Sequence, residues 1–135
     1  HKRLEKLAKK LPGRGTTFLT SVSDNDMAEH FQTALGFIMP NMDDFGIVAV
    51  EAMSAGTPVI AYSQGGSLDY VVDGKTGLFF DKQDAKTLAN ALETAVSKNF
   101  NYSSIAEHAQ AFSTSRFTES MQKYINKRLS ERSQA

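Results

Sequence analysis

The sequence predicts an α/β fold, a doubly wound parallel sheet with helices on both faces that ends in a run of C-terminal helices. Two observations carry that expectation. Short apolar runs bounded by Pro, Gly or Asp (Phe37–Met39, Pro58–Tyr62 and Gly77–Phe80) alternate with stretches whose apolar residues recur every three or four positions. The runs are also apolar on consecutive positions, the pattern of strands covered on both faces and joined by right-handed crossovers.

The elements follow in order. Lys2 to Leu11 sets Leu4, Leu7, Ala8 and Leu11 on one stripe of a first helix, which Pro12-Gly13 ends. A short strand is expected over Thr16–Thr20. Ser23 with Asp26 three residues on reads as an N-cap, with Met27, Phe31, Ala34 and Leu35 as the buried stripe of the helix it starts. Phe37 to Met39, stopped by Pro40, reads as a strand covered on both faces. Phe45 to Ala55 is apolar nearly all round and ends at Gly56, which predicts a helix deep in the fold. Pro58 to Tyr62 is the next covered strand, Ser67 caps a short helix through Val72, Asp73-Gly74 turns the chain, and Gly77 to Phe80 gives the last strand. Three helices complete the chain: Asp84 to Val96 with Leu88, Ala91, Leu92, Ala95 and Val96 at helical spacing, a shorter one near Ser104 to Ala111, and Arg116 to Leu129 with Phe117, Met121, Tyr124, Ile125 and Leu129. No internal repeat or low-complexity segment interrupts this order.

Length and composition bound the rest. A chain of 135 residues, 41% hydrophobic, can bury a core of its own, so residues 1–135 are expected to form a single domain. Fifteen basic and fifteen acidic side chains cancel, which gives no reason to expect nucleic acid as a partner. The basic opening around Lys2, Arg3, Lys9 and Lys10 and the late cluster of Lys123, Lys127 and Arg128 read as solvated helix faces. An anionic membrane surface is the alternative for both. The absence of cysteine excludes disulfides and thiolate metal sites and fits a reducing compartment. No apolar run reaches spanning length and no signal peptide opens the chain, so the expected location is cytoplasmic, with peripheral association at the inner face of the plasma membrane as the variant the basic clusters allow.

On a doubly wound sheet, ligands bind at the carboxyl ends of the strands, which here means Asn41–Asp44, Ser63–Ser67 and the turn after Val22. Glu51 lies among Ile47, Val48, Ala49, Val50, Ala52 and Met53 without a basic neighbour. A buried carboxylate there needs a partner. Vicinal ribose hydroxyls and a Lys or Arg from elsewhere in the fold are equally good candidates on this evidence. Asp43 and Asp44 precede the same helix, where a carboxylate can simply complement the helix's positive end for about 0.3–1 kcal/mol. Alternatively, Asp43 reaches a sugar hydroxyl while the amides of Phe45, Gly46, Ile47 and Val48 face a phosphate, with Gly46 admitting a ligand oxygen close to the backbone. Gly65-Gly66 permits a tight approach to ligand or a plain loop turn. Gly74-Lys75-Thr76 falls short of a nucleotide-binding P-loop, because Asp69 stands where that motif needs glycine and no long helix follows the lysine. His1, His30 and His108 are scattered without metal spacing or a paired nucleophile, which leaves them no catalytic role.

From Leu19 to about Val96 the chain resembles the C-terminal donor-binding domain of the GT-B retaining glycosyltransferases of family 4, also called glycosyltransferases group 1. Four features in register carry the resemblance: an acid and a glutamate separated by seven residues (Asp43 to Glu51), the run Glu51-Ala52-Met53-Ser54-Ala55-Gly56-Thr57-Pro58-Val59-Ile60-Ala61, then Gly65-Gly66, then Asp73-Gly74-Lys75-Thr76-Gly77. It implies a Rossmann-like domain and transfer of a hexose from a nucleotide-diphosphate sugar, with retained anomeric configuration and without cofactor or metal, to a glycan or lipid-linked acceptor in polysaccharide biosynthesis. By the same resemblance Glu51 holds the donor ribose and Asp43 contacts the donor sugar, the two residues expected to matter most for catalysis, both by positioning. Asp44, the amides of Phe45, Gly46, Ile47 and Val48, and the Gly65-Gly66 loop would complete the donor site. The wording Asp-Asp-Phe-Gly-Ile-Val and Val-Ile-Ala-Tyr is similar to a branch associated with mannosyl transfer.

Three departures from the family pattern stand out. Asp43 is one methylene shorter than the usual glutamate, Thr20 stands where the turn near the base pocket commonly has glycine, and no upstream turn supplies the arginine and lysine that neutralise the departing diphosphate. The acceptor-binding half of a GT-B enzyme is not in the sequence either. The resemblance therefore implies a C-terminal piece that binds donor weakly, turns over negligibly by itself, and leaves Phe117, Tyr124 or Ile125 of its last helix exposed. The rival is a non-catalytic Rossmann-like module that binds a nucleotide or a protein partner.

Overall fold

The computed structural model describes residues 2–10 and 15–133. Three strands, β1 (Phe37–Met39), β2 (Val59–Tyr62) and β3 (Gly77–Phe80), pair in parallel in that order. Phe37 stands opposite Val59, and Val59 opposite Gly77. Successive side chains of β2 point to opposite faces, so Val59 and Ala61 enter one core and Ile60 and Tyr62 the other. On the first face lie α3 (Ile47–Ser54), α4 (Ser67–Tyr70) and α6 (Tyr102–Ala109), which bring Val50, Met53, Tyr70 and Ile105 onto Met39, Val59 and Ala61. On the second, α5 (Ala85–Ser97) packs Ala91, Leu88 and Leu92 against Ile60 and Phe80. Each fully buried Val or Ile of this kind contributes about 1.5–3 kcal/mol relative to exposure. Helices on both faces make the three-layer α/β arrangement the sequence predicts.

The remaining helices are α1 (Lys2–Ala8), α2 (Asp24–Thr33) and α7 (Thr114–Ser133), the last preceded by a single 3₁₀ turn over Gln110–Phe112. Ser23 caps α2 as expected. Its Oγ accepts from the Asp26 amide at 3.2 Å and donates to the Asp26 carboxylate at 2.7 Å. Two contacts tie α2 to the sheet: Phe31 meets the edge of Phe37 with ring centroids 5.7 Å apart, and the Thr57 hydroxyl donates to the Phe31 carbonyl. Asp84 and Asn101 cap α5 and α6 through their side chains.

Several expectations need correction. Residues 16–20 form no strand, because an apolar run becomes one only where a neighbour completes its ladder and the described sheet starts at β1. β1 is covered on one face alone, for Ile38 on the α5 side is exposed. Leu35 is also exposed, since α2 ends at Thr33 and Ala34 is already extended, which takes Leu35 off the helical stripe. Val96, at the end of α5, projects into solvent as well. Ser67 is the first helical residue of α4 and does not cap it. Its buried hydroxyl turns back to donate to the Tyr62 and Gln64 carbonyls at 2.8 and 3.1 Å, fastening α4 to the end of β2. Leu11 and the Pro12-Gly13 stop lie outside the described residues. Leu4 and Leu7 of α1 are exposed, as are Phe117, Tyr124 and Ile125 of α7.

Candidate functional site

The loops that follow β1 and β2 meet at the carboxyl end of the sheet. The first loop is anchored at its start, where the Gln83 side-chain amide donates to the Pro40 carbonyl at 2.8 Å. Its middle is held by the second loop, whose Gly66 amide donates to the Asp43 carbonyl at 2.9 Å. The double glycine makes this contact possible. Gly65 has a left-handed φ of +73°, and a Cβ there would stand 2.5 Å from the Asp43 carbonyl oxygen. A Cβ on Gly66 would run into the Phe45 Cα and stand 2.5 Å from the Asp44 carbonyl oxygen. Gly65-Gly66 thus brings the second loop tight against the Asp43–Phe45 backbone.

That backbone leads into α3. Gly46 is its N-cap, with φ +80° and no side-chain cap. The Ala49 amide takes the Gly46 carbonyl at 3.0 Å, but the N–H groups of Phe45, Gly46, Ile47 and Val48 find no acceptor among the described residues. The side chains of Ile47 and Val48 are exposed, so this end of α3 faces solvent and not hydrocarbon. The missing Cβ of Gly46 has an internal cause beside any ligand. It would strike the Met39 methyl and stand 2.9 Å from the Tyr70 hydroxyl.

The sequence expects Glu51 to be buried; it is exposed. Ala49, Val50, Ala52 and Met53 form the buried face of α3, while Ile47, Val48 and Glu51 occupy the opposite one. An apolar stretch with no moment conceals which side meets the core, and here the side carrying the carboxylate is the open one. Neither does a Lys or Arg neutralise it: the side chain of Glu51 makes no ion pair or hydrogen bond among the described residues. Glu51 is one turn beyond Ile47 on the same face. It lines a cleft of about 420 Å³ between α2 and α3, with Asp24, Met27, Phe31 and Gln32 opposite. Asp43 and Asp44 are exposed in the loop, four and three residues before the first helical position, Ile47.

Beneath the loop sits a residue that the sequence reading does not single out. Tyr70 is fully buried, its hydroxyl donating to Met39 Sδ at 3.2 Å and lying 3.4 Å from the Gly46 carbonyl. Its ring packs edge-on against Phe45 and Phe112, with centroids 5.5 and 6.2 Å away. Burial above all, and then the negative charges of Asp43 and Asp69, pushes the phenol up to about 12. His108 has a structural place here. Its Nε2 is 2.9 Å from the Tyr70 carbonyl, which can only accept, so Nε2 carries the proton. At the turn before α2 the only left-handed non-glycine residue among those described is Ser21, φ +57°, one position after Thr20. No three His, Asp or Glu side chains among the described residues come together as a metal site would require.

The model of the family described as glycosyl transferases group 1 matches residues 1–113. The chain belongs to that family. Among its relatives, a D-inositol 3-phosphate glycosyltransferase of Corynebacterium urealyticum is 37% identical over 110 residues, covering 80% of this chain and 26% of its own length. Another of that name, from Streptomyces avermitilis, is 35% identical over 116 residues, 81% of this chain and 25% of the relative. Among solved structures, sucrose-phosphate synthase from Thermosynechococcus elongatus superposes with a TM-score of 0.80 at 29% identity, over 96% of this chain and 34% of that protein. The three-layer fold is thus that of a GT-B glycosyltransferase domain. The chain spans about a quarter of the length of the curated relatives it matches. Among the described residues no helix is long and apolar enough to cross a membrane.

Proposed function

We propose that this chain is the donor-binding part of a retaining hexosyltransferase, taking a nucleotide-diphosphate sugar. One observation supports the reading most: four consecutive amides at the start of α3 and a carboxylate one turn on, none with a partner among the described residues, at the edge of an open cleft. The amides of Phe45 to Val48, with the positive end of α3, suit a diphosphate. Glu51 suits the two adjacent hydroxyls of a ribose, each donating to one carboxylate oxygen. Asp43, with Asp44 beside it, is left to meet the donor sugar, and the Gly65-Gly66 turn acts by holding that loop in place. These groups position the donor. We assign retention to attack on the face from which the diphosphate departs, its phosphate oxygen taking the acceptor's proton, so that neither Asp43 nor Glu51 acts as nucleophile or proton shuttle.

This chemistry uses no cofactor or metal ion. It does need cations against the diphosphate, which the family pattern sets on an arginine and a lysine of the donor domain's opening turn, and an acceptor site, which we place on a second, N-terminal GT-B domain facing this one across the cleft where transfer occurs. The acceptor is a hydroxyl of a glycan or a lipid-linked glycan, or a phosphorylated inositol as in the names of the relatives. Mannose is the first donor sugar to try, because of the wording around Asp44–Val48 and Val59–Tyr62. We place the protein in the cytoplasm, with its basic clusters able to rest on an anionic inner membrane face. Calorimetric titration of the chain with nucleoside diphosphates and their mannose and glucose esters tests the reading. Saturable binding that Glu51→Ala weakens supports it; equal binding by the variant, or none by the parent, refutes it and leaves a module for other partners.

A further inference from the structure

We infer that Tyr70 is a positioning residue for the diphosphate, acting through the backbone it supports; the inference rests on the donor-site reading above. Gly46 is the hinge of that backbone. Its left-handed φ turns the loop into α3 and no side chain caps the helix, so among the described residues the plane that carries the Ile47 N–H is held only at the Gly46 carbonyl, by the Ala49 amide and the Tyr70 hydroxyl. Support comes from below. The Tyr70 hydroxyl lies 3.4 Å from the Gly46 carbonyl and 3.2 Å from Met39 Sδ, and its ring holds the Phe45 ring 5.5 Å away. Tyr70 thus touches the residues on both sides of the Phe45–Gly46 peptide bond.

Tyr70 is itself held from behind. Its carbonyl accepts from His108, its ring meets Phe112, and α4 is fastened to β2 through Ser67. The chain of contacts therefore runs from the sheet and α6, through one buried phenol, to the peptide planes that face the ligand. The Gly46 carbonyl and the Ile47 N–H lie in one rigid peptide plane, so any rotation of that plane about its joint at the Gly46 Cα re-aims the Ile47 amide. Removing the hydroxyl while keeping the ring should loosen that joint and leave the core filled.

Tyr70→Phe in the 135-residue chain tests this, with inorganic pyrophosphate as the probe so that the unknown base and sugar play no part. The expected result is a melting temperature lowered by a few degrees at most, amide resonances of Gly46 to Val48 displaced in the free protein, and pyrophosphate affinity lowered about threefold to tenfold, the range of one hydrogen bond. Unmoved resonances and unchanged affinity overturn the inference. So does a lowered melting temperature with full affinity per folded molecule, which is the mark of a core residue only. If the parent chain binds neither pyrophosphate nor nucleotide, the donor-site reading fails, and the resonances decide the remaining claim: displacement confined to Gly46–Val48 upholds the mechanical role of Tyr70, and none refutes it. Met39→Leu supplies a second variant. It leaves the hydroxyl only the Gly46 carbonyl, and the expected affinity is at least that of the parent; a loss like that of Tyr70→Phe overturns the assignment.

Discussion

The loop between β1 and α3 and the helix α7 both expose apolar side chains, Met42 and Phe45 in the one and Phe117 to Leu129 in the other, yet the loop's backbone is gripped by other elements of the fold. Around the loop, Met39, Tyr70, Phe45 and Phe112 touch one another, and the second loop is pressed so close that only glycine fits. Along α7, Phe117, Met121, Tyr124 and Ile125 repeat at helical spacing and are all exposed. Among its side-chain contacts, those of Arg128 with Tyr124 and Glu131 and of Lys127 with Glu131 join the helix to itself. The lesson is that an apolar period announces a face meant for cover without saying what covers it. The loop finds only part of its cover within the chain, with Met42 and Phe45 still open to solvent.

That contrast can be broken, and the largest effect should come from the tightest contact. Gly66→Ala drives a methyl into the backbone of Phe45 and Asp44, atoms that cannot rotate aside, so it should destabilise the chain by about 3 kcal/mol, the upper end of overpacking, in urea unfolding. Glu51→Ala comes next. Its side chain is exposed and unpaired, so stability should stay within about 0.5 kcal/mol of the parent while nucleoside-diphosphate affinity falls about tenfold or more, as calorimetry would record. Alkaline pH acts on the same buried cluster. The Tyr70 phenol is raised from 10.0 to about 12 on folding, so the native state keeps its proton where the unfolded chain loses it. Stability is then full below pH 10 and declines as pH rises from there toward 12. Ultraviolet titration should show a tyrosinate step near pH 12 that is absent in Tyr70→Phe. Least of all, Ile125→Ser on α7 should shift stability by under about 0.5 kcal/mol in this chain. A loss of several times that size would mean α7 is covered in solution and would erase the contrast.

Much of this was legible in the sequence. Strands β1 to β3 and helices α2, α3, α5 and α7 lie where apolar period and punctuation put them, and the Ser23 cap is read from two side chains. Even the exposure of α7 follows from the resemblance. Glu51 was not legible in its surroundings, because a run that is apolar on nearly every side chain hides which face the sheet will choose. Residues 16–20 mislead for a related reason: period describes a strand's faces and is silent about its edges. Tyr70 carried only one clue, that a buried phenol needs an acceptor, and its acceptors lie 24 and 31 residues away in sequence. The role of Gly65-Gly66 is the same kind of fact. A turn can be read locally, but the backbone it lets in cannot.

The central claim is that the start of α3 receives a diphosphate. It is tested most directly by following the backbone amides of the 135-residue chain in nitrogen–proton correlation spectra during titration with nucleoside diphosphates. The account predicts saturable displacement of Phe45, Gly46, Ile47 and Val48, with Asp43 and Glu51 moving at the same ligand concentrations. Amides that stay still at saturation, or move no more than those of α7, would contradict it.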